Sequence, residues 1–196
     1  PAGPMLHAGI RDAYGEGLAA ASGRPGVSVL ASAVEDRGEG GCHASAAVLA
    51  ANASAFLGDE SLADEVFGPS TLLVACEGRA QMLEVARKLE GQLTASIFGT
   101  DSELTEYQEL VDILETKAGR LLFNQFPTGV EVCHSIVHGG PYPATTDGRS
   151  TSVGTAAVFR FARPVCYQGF PEDRLPDELK DANPLGIKRM VNGARE

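Results

Sequence analysis

Between Ser70 and Phe126 the chain contains no proline, whereas seven of its eleven prolines lie from Pro127 onward. Proline lacks a backbone donor, and it interrupts both helices and central strands. The proline-free stretch is therefore expected to hold the regular core of the fold, and the part of the chain after it is expected to be rich in loops.

Two kinds of apolar pattern alternate within this stretch. Short apolar runs typical of buried strands occupy residues 71–76, 93–98 and 120–124. Between them, apolar residues at helical spacing predict one helix over residues 82–89 and a second over residues 101–118. The order strand, helix, strand, helix, strand predicts an α/β fold with a parallel-sheet βαβαβ core and right-handed crossovers.

The segments that flank this core carry patterns of their own. Residues 8–21 have a helical apolar stripe, and the apolar run at residues 44–51 fits either a strand or an alanine-rich helix. Residues 152–162 predict a helix, and residues 165–168 predict a strand after it. The charged, proline-punctuated stretch from Pro171 onward predicts a loop-rich C-terminal tail.

Charge and composition argue against several classes of function. The 196 residues carry a formal net charge of -10, which argues against nucleic acid or an anionic membrane as the main partner. No apolar run approaches the roughly 18 residues that identify a membrane-spanning helix, and no signal peptide opens the chain. The four cysteines form no CxxC pair, so a cytoplasmic protein with reduced thiols is expected.

Three sequence patterns resemble functional motifs, but the predicted structure around each of them argues against a functional role. Gly15–Ala20 fits the GxGxxA dinucleotide fingerprint, but a helix is predicted where that fingerprint needs a preceding strand. His134 and His138 fall in an extended segment, where positions four apart are separated by roughly 13 Å, too far for two ligands of one metal ion. No cysteine has a predicted neighbouring base, so all four are expected to pack as small apolar side chains, and no metal site is predicted.

The segment Glu65–Pro69 places a carboxylate and an aromatic ring two residues apart, on one face of an extended chain. An exposed carboxylate can accept hydrogen bonds from two sugar hydroxyls, and a neighbouring ring can pack on a flat group such as nicotinamide. Gly68 and Pro69 then turn the chain towards the next strand. The residues alone leave two interpretations open, a cofactor contact or a plain turn that leads into a strand.

The same five residues resemble the E-x-F-G-P motif of the aldehyde dehydrogenase superfamily, and the order of strands and helices after them is similar too. Residues 123–132 (FNQFPTGVEV) and 138–146 (HGGPYPATT) resemble the branch that oxidises α-ketoglutaric semialdehyde (2,5-dioxopentanoate). The resemblance covers nearly the whole chain. It implies an oxidoreductase that uses NAD or NADP, acts on a small aldehyde and forms a homo-oligomer, either a dimer or a tetramer.

The resemblance also implies that the chain is the C-terminal part of such an enzyme. In the family the nucleophilic cysteine lies in a G-Q-x-C-T segment before E-x-F-G-P, and no such segment occurs here. The general-base glutamate and the cofactor-binding domain come earlier still, so no catalytic residue is expected in this chain. Residues 1–150 would belong to the catalytic domain, and residues 151–196 would form a helix, strand and tail that contribute to assembly and packing.

Two residues would contact the cofactor if the resemblance holds. Glu65 would hold the nicotinamide ribose, and Phe67 would pack near the nicotinamide ring. Both residues would then position the hydride acceptor, which is a contribution to proximity and not to bond chemistry.

Other residues would contact the aldehyde. His138 would lie at the wall of the aldehyde channel, and the segment from Phe126 to Val130 would line it. Arg149 would meet the remote carboxylate of a semialdehyde, with a surface salt bridge as its alternative role. Two other functions stay open: a long-chain fatty aldehyde dehydrogenase of the same branch, and a non-catalytic fragment that only binds or assembles.

Overall fold

The structure, a computed structural model, describes residues 3–33, 42–127, 129 and 131–195. The chain separates into two compact units, one up to Arg160 and one from Phe161 onward. The Glu65–Pro69 segment lies in the first unit. No helix in the described ranges has the length and apolar character needed to cross a membrane.

The first elements of the chain are one long helix and several strands, namely β1 (Gly3–Pro4), α1 (Ala8–Ser22), β2 (Val27–Ser32), β3 (His43–Ala44) and β4 (Ala47–Asn52). Helix α1 confirms the helix expected at residues 8–21. It begins after His7, whose ring accepts the Ile10 N–H at 3.4 Å, and it buries Tyr14. Strand β1 pairs antiparallel with β3.

Strand β4 is the centre of a three-stranded sheet. It is antiparallel to β2 and parallel to β5 (Ser70–Ala75). Ala47, Leu49 and Ala51 are buried, and the residues between them are half-buried, which is the alternation of a strand that packs mainly through one face. The apolar run at residues 44–51 is therefore a strand, and its helical alternative is excluded.

Two short helical segments lead from β4 to β5, namely α2 (Ala53–Gly58) and a 3-10 helix (Glu60–Ala63). Asn52 caps α2, since its side-chain oxygen accepts the Ala55 N–H at 2.8 Å. Phe56 and Leu62 are buried and belong to the core between these segments and the sheet.

The proline-free stretch contains the elements in the predicted order, namely β5, α3 (Arg79–Lys88), β6 (Ala95–Ile97), α4 (Asp101–Glu106), α5 (Gln108–Glu115) and β7 (Leu121–Phe123). The second predicted helix is divided at Tyr107, between α4 and α5. Strands β6 and β7 are parallel, with Ala95 beside Leu121. The α/β fold class is confirmed.

The three predicted strands of this stretch are shared between two sheets. Strand β5 forms its ladder with β4, whereas β6 pairs with β7, and no ladder in the described ranges joins β5 to β6. A bridge between Gln92 and Ala118 continues the β6–β7 pairing. Apolar periodicity gives the order of strands along the chain, but tertiary packing decides which of them become neighbours.

Polar contacts join α3 to the helices beside it. The Lys88 ammonium donates to the carbonyls of Phe56 and Leu57 at 2.9 and 2.8 Å, and so satisfies acceptors at the C-terminal end of α2. On the other side, Arg87 pairs with Glu109 of α5 at 2.6 Å. These contacts hold α3 to α2, which precedes β5, and to α5, which follows it.

Two expectations for the region after residue 150 are corrected. The helix expected at residues 152–162 is a 3-10 helix at Thr155–Arg160. The strand expected at residues 165–168 is not formed in the described structure, because this segment pairs with no other strand. Val165 and Tyr167 are exposed, so a short apolar run without a pairing partner stays irregular.

The second unit confirms the loop-rich tail. Its regular segments are two 3-10 helices and a hairpin, namely Glu172–Arg174, Asp177–Leu179, β8 (Met190–Val191) and β9 (Ala194–Arg195). Asn192 and Gly193 connect the hairpin with φ of 50° and 82°. This Asn-Gly pair suits a type I′ turn, which needs two residues in the left-handed region.

Candidate functional site

A cleft of about 710 Å³ lies beside the Glu65–Pro69 turn. Its walls come from α1, β4, the 3-10 helix and the start of β5, and they comprise Met5, Leu18, Ala21, Leu49, Ser61, Leu62 and residues 64–72. The turn therefore borders a concave surface and is not enclosed in packed protein.

Glu65 and Phe67 both line this cleft. Both are exposed, Phe67 to 67%. The Glu65 carboxylate makes no hydrogen bond or ion pair with any other described residue. A carboxylate with free acceptor sites and an exposed aromatic ring thus share one concave surface, where they can hold a diol and a flat ring.

Helix α1 supports the turn through two small residues. Gly68 lies so close to the Tyr14 ring that an added Cβ would come within 2.2 Å of it. Gly17 faces Val66, where an added Cβ would lie 3.3 Å from Cγ1. Because neither glycine carries a side chain, α1 packs directly on the turn.

Backbone hydrogen bonds connect the turn to the sheet. The Ser70 N–H donates to the Gly68 carbonyl at 2.8 Å, and the Ala47 N–H donates to the Pro69 carbonyl at 3.0 Å. The parallel ladder of β4 and β5 starts at the same place, with Ala47 beside Ser70. The turn is thus fixed where β5 begins.

Tyr14 connects α1 to the segment between β3 and β4. Its side chain is buried, with the residue 5% exposed, and its hydroxyl donates to the Ser45 carbonyl at 2.8 Å. Burial raises the pKa of the Tyr14 hydroxyl, and the nearby Ser70 side chain acts in the opposite sense. The hydroxyl is therefore protonated at neutral pH and acts as a donor.

Phe126 forms an exposed aromatic pair with Phe98, and the ring centroids are 4.9 Å apart. Asn124 connects the two chain segments. Its side-chain amide donates to the Gly99 carbonyl at 2.8 Å, and its side-chain oxygen accepts the Gly99 N–H at 3.0 Å. Asn124 has a φ of 52°, which asparagine tolerates better than most residues. This amide bridge joins the ends of β6 and β7 and holds the two rings side by side.

His138 lies half-buried on a fixed backbone. Its N–H donates to Thr151 Oγ1 at 2.8 Å, and its carbonyl accepts the Ser152 N–H at 2.9 Å. Gly140, two residues on, is buried against Gln92, whose carbonyl an added Cβ would approach to 2.3 Å. The His138 imidazole itself makes no hydrogen bond with another described residue.

Arg149 is a surface residue. Its side chain is 94% exposed, and its Nε lies 3.2 Å from Asp147 Oδ1. The Arg149 backbone N–H also donates to that oxygen at 3.1 Å, and these bonds lower the pKa of Asp147. This geometry is that of the surface salt bridge considered as its alternative role. Val130, the remaining predicted channel residue, lies outside the described residues.

The predicted residues thus fall into two groups. Glu65 and Phe67 meet in one cleft, whereas the described lining of that cleft does not include Phe126, His138 or Arg149. The two residues predicted to contact a cofactor share one cleft, and the described residues predicted to line an aldehyde channel lie outside its lining.

Two curated relatives match the whole or nearly the whole of this chain. It is 45% identical over 196 residues to α-ketoglutaric semialdehyde dehydrogenase 2 of Azospirillum brasilense. It is 47% identical over 192 residues to α-ketoglutaric semialdehyde dehydrogenase of Acinetobacter baylyi, a match that covers 96% of the chain. Both relatives are semialdehyde dehydrogenases, so the chain is similar in sequence to members of the aldehyde dehydrogenase superfamily. It spans 37% and 36% of the lengths of these two relatives, and no family model matches it.

Solved aldehyde dehydrogenases share the fold. The Δ-pyrroline-5-carboxylate dehydrogenase of Mycobacterium tuberculosis, solved with NAD, has a TM-score of 0.61 and 20% identity, over 81% of this chain and 27% of that chain. A betaine aldehyde dehydrogenase variant of Staphylococcus aureus, solved with NAD⁺, has a TM-score of 0.62 and 18% identity, over 81% and 30%. The aldehyde dehydrogenase fold implied by the E-x-F-G-P motif is confirmed.

The other motif-like patterns of the chain have no functional arrangement in the described structure. Gly15–Ala20 lies inside α1, so it does not form the strand-to-helix turn of a dinucleotide fingerprint. His134 Nδ1 lies 2.6 Å from Thr155 Oγ1, and no group of three potential metal ligands occurs in the described ranges. Burial raises the pKa of the Cys76 thiol, which disfavours a nucleophilic thiolate there.

The residues that support the Glu65–Pro69 turn and the Phe98–Phe126 pair are not predictable from the sequence patterns above. Tyr14 falls in the apolar stripe of residues 8–21, and Asn124 falls at the end of the predicted strand at residues 120–124, so neither pattern indicates a supporting role. Gly68 was the available signal for Tyr14, since a glycine in a turn often marks a close approach by another group. An asparagine just after a strand was the signal for Asn124, because asparagine is enriched in the left-handed region.

Proposed function

We propose that this chain is the C-terminal part of an α-ketoglutaric semialdehyde dehydrogenase, in which it holds the nicotinamide end of NAD or NADP and part of the aldehyde channel. The observation that carries this proposal is the cleft lined by the exposed carboxylate of Glu65 and the exposed ring of Phe67. The names of the two relatives supply the substrate class.

The cleft suits the ribose and nicotinamide of such a cofactor. Glu65 has two carboxylate oxygens that no other described residue binds and that can accept from the two ribose hydroxyls, and Phe67 offers an exposed face for the nicotinamide ring. When bound, the nicotinamide supplies the hydride acceptor of the reaction. Both residues bind and orient, and the proposal assigns no bond-making role to this chain. NAD is the favoured cofactor, since the two structural relatives described above were solved with it.

Phe126, Val130 and His138 are proposed to line the aldehyde channel. The support is that Phe126 and Phe98 present an exposed aromatic pair and that the His138 imidazole is free of partners among the described residues. Arg149 is proposed to meet the remote carboxylate of the semialdehyde. Its exposed bond to Asp147 is of the weak surface kind, so a substrate carboxylate can displace it.

Assembly and location are part of the same proposal. We assign residues 151–196 to contacts within a dimer or tetramer, because Phe159 and Phe161 are 72% and 90% exposed in the single chain. The four cysteines are free thiols, which fits the reducing cytoplasm. Light scattering of the full-length protein tests the assembly, and a monomer would contradict it.

The function is tested in the full-length protein with Glu65→Gln. The amide keeps the size of the side chain but loses the charge, so hydrogen bonds from the ribose weaken. A loss of charge-assisted bonding is expected to raise KM for NAD⁺ about 10- to 100-fold with 2,5-dioxopentanoate as substrate. Glu60→Gln is the matched control, because Glu60 is exposed and lies outside the cleft lining. Unchanged kinetics in Glu65→Gln would contradict the assigned role.

The exposed pair of Phe98 and Phe126 favours a second candidate, the oxidation of long-chain fatty aldehydes through an apolar channel. Rates on 2,5-dioxopentanoate and on a long alkanal distinguish the two. A preference for the alkanal would replace the semialdehyde assignment and leave the cofactor assignment intact.

A further inference from the structure

We propose that Tyr14 is the positioning residue of the cofactor-binding turn, an inference that rests on the proposed function. Glu65 and Phe67 are the residues assigned to the cofactor. Tyr14 acts through Gly68, the residue that directly follows Phe67 in the turn. Its role is to set where the turn stands relative to the sheet.

The Tyr14 ring is the surface on which the turn rests. A Cβ added at Gly68 would come within 2.2, 2.6 and 2.8 Å of ring atoms Cδ2, Cε2 and Cγ. Such distances mean that the backbone at Gly68 is in direct contact with the ring. A shift of the ring therefore shifts the backbone that carries Phe67 and, three residues earlier than Gly68, Glu65.

The hydroxyl of Tyr14 fixes the ring. It donates to the Ser45 carbonyl at 2.8 Å, in the segment that leads into β4. Two residues on, the Ala47 N–H donates to the Pro69 carbonyl at 3.0 Å, and Pro69 follows Gly68. These contacts link Tyr14 to the segment before β4, link the start of β4 to the turn, and link the turn back to the Tyr14 ring. Tyr14 is 5% exposed, so little of its side chain meets solvent.

A core residue with a purely structural role would lower stability when changed but would leave the affinity of the folded molecules unaltered. A positioning residue changes cofactor binding while the protein stays folded. The contacts of Tyr14 predict that it behaves as a positioning residue, because they reach the turn that lines the cleft.

Tyr14→Phe in the full-length protein removes the hydroxyl and keeps the ring. The Kd for NADH, measured by nucleotide fluorescence, is expected to rise about 3- to 10-fold, because Tyr14→Phe removes one partly buried hydrogen bond that holds the turn in place. KM for the cofactor should rise with it, while KM for the aldehyde should not change. Tyr107→Phe is the matched control, because it makes the same change at a half-buried tyrosine outside the cleft lining.

Two further measurements test the route through Gly68. Gly68→Ala places a Cβ against the ring and is expected to weaken NADH binding more than Tyr14→Phe does. Adding Tyr14→Leu to Gly68→Ala removes the ring and should recover part of the lost NADH affinity, so the effects of the two changes on binding are non-additive. Without any cofactor, hydrogen exchange at the Ser70 amide, which bonds to the Gly68 carbonyl, should be faster in Tyr14→Phe.

The outcomes separate this inference from the function on which it rests. Wild-type NADH affinity and unchanged Ser70 exchange in Tyr14→Phe would overturn the positioning role and leave the proposed function standing. Additive effects of Gly68→Ala and Tyr14→Leu would overturn it too. A wild-type protein that neither binds NADH nor oxidises an aldehyde would refute both.

Discussion

Replacing Phe67 by alanine is expected to weaken cofactor binding while leaving the stability of the fold almost unchanged. Phe67 is 67% exposed, so the change removes little buried surface from the fold and should alter the free energy of unfolding by no more than about 0.5 kcal/mol. An aromatic side chain presents about 150–250 Å², and a ring stacked on one face of the exposed part would cover about 50–85 Å² of it. At about 25 cal/mol per Å², the lost contact is worth about 1–2 kcal/mol.

That loss corresponds to an increase of about 5- to 30-fold in the Kd for NADH. Fluorescence titration of the full-length protein measures it, and a thermal melt should show a change in Tm of no more than about 2 °C. Phe126→Ala is the matched control, since Phe126 is 72% exposed but lies outside the cleft lining. It should raise KM for the aldehyde and leave the Kd for NADH unchanged. An unchanged Kd in Phe67→Ala, or an equal increase in both variants, would refute the reasoning.

Three further predictions concern stability and reactivity. Lys88→Met removes both donors to the carbonyls at the end of α2 and should lower the free energy of unfolding by about 1–3 kcal/mol in urea denaturation. The backbone and hydroxyl of Thr100 bond to the Glu103 carboxylate and lower its pKa below the ordinary 4.5. The stability this adds is fully present above pH 4.5 and is lost as the pH falls through the folded-state pKa, so Glu103→Gln should flatten the acid side of a pH series of urea midpoints. Burial raises the pKa of the Cys76 thiol, whereas Cys166 is exposed, so peptide mass spectrometry should find alkylation at Cys166 first.

Local patterns predicted the elements whose signals are self-contained. Helix α1 and the order of elements from β5 to β7 follow from periodicity, and the division at Tyr107 is a detail within a correctly placed helical region. Strand pairing could not be read in the same way. The pairing of β5 with β4 depends on which elements pack together, and no residue pattern within a strand records its neighbour.

The strand predicted at residues 165–168 does not form, and the reason is again that strand pairing depends on which elements pack together. Val165, Cys166 and Tyr167 have the composition of a strand, but a strand exists only with a hydrogen-bonded partner. Within the described structure this segment has none, and its side chains remain exposed. Composition therefore predicts a capacity for sheet formation, and the rest of the fold decides whether that capacity is used.

The two exposed residues that line the candidate cleft were predictable from the sequence, and the residues that support them were not. Glu65 and Phe67 carry their chemistry in their side chains, and a two-residue spacing suffices to place them on one face. Tyr14 lies fifty-one residues earlier than Glu65 in the sequence, and only the folded chain brings its ring against Gly68. Long-range contacts of this kind leave no periodic trace in the sequence.

The glycines of α1 fit a motif that does not form here, but one of them lies against the turn beside the candidate cleft. Gly15–Ala20 fits a dinucleotide fingerprint, yet it lies inside a helix, where glycine is destabilising by about 0.5–1 kcal/mol relative to alanine. Gly17 faces Val66, and the space left by its missing side chain lets α1 approach the turn beside the cleft. The cost in helix stability at this position is therefore offset by a close helix–turn contact, since any side chain on Gly17 would press against Val66 between Glu65 and Phe67.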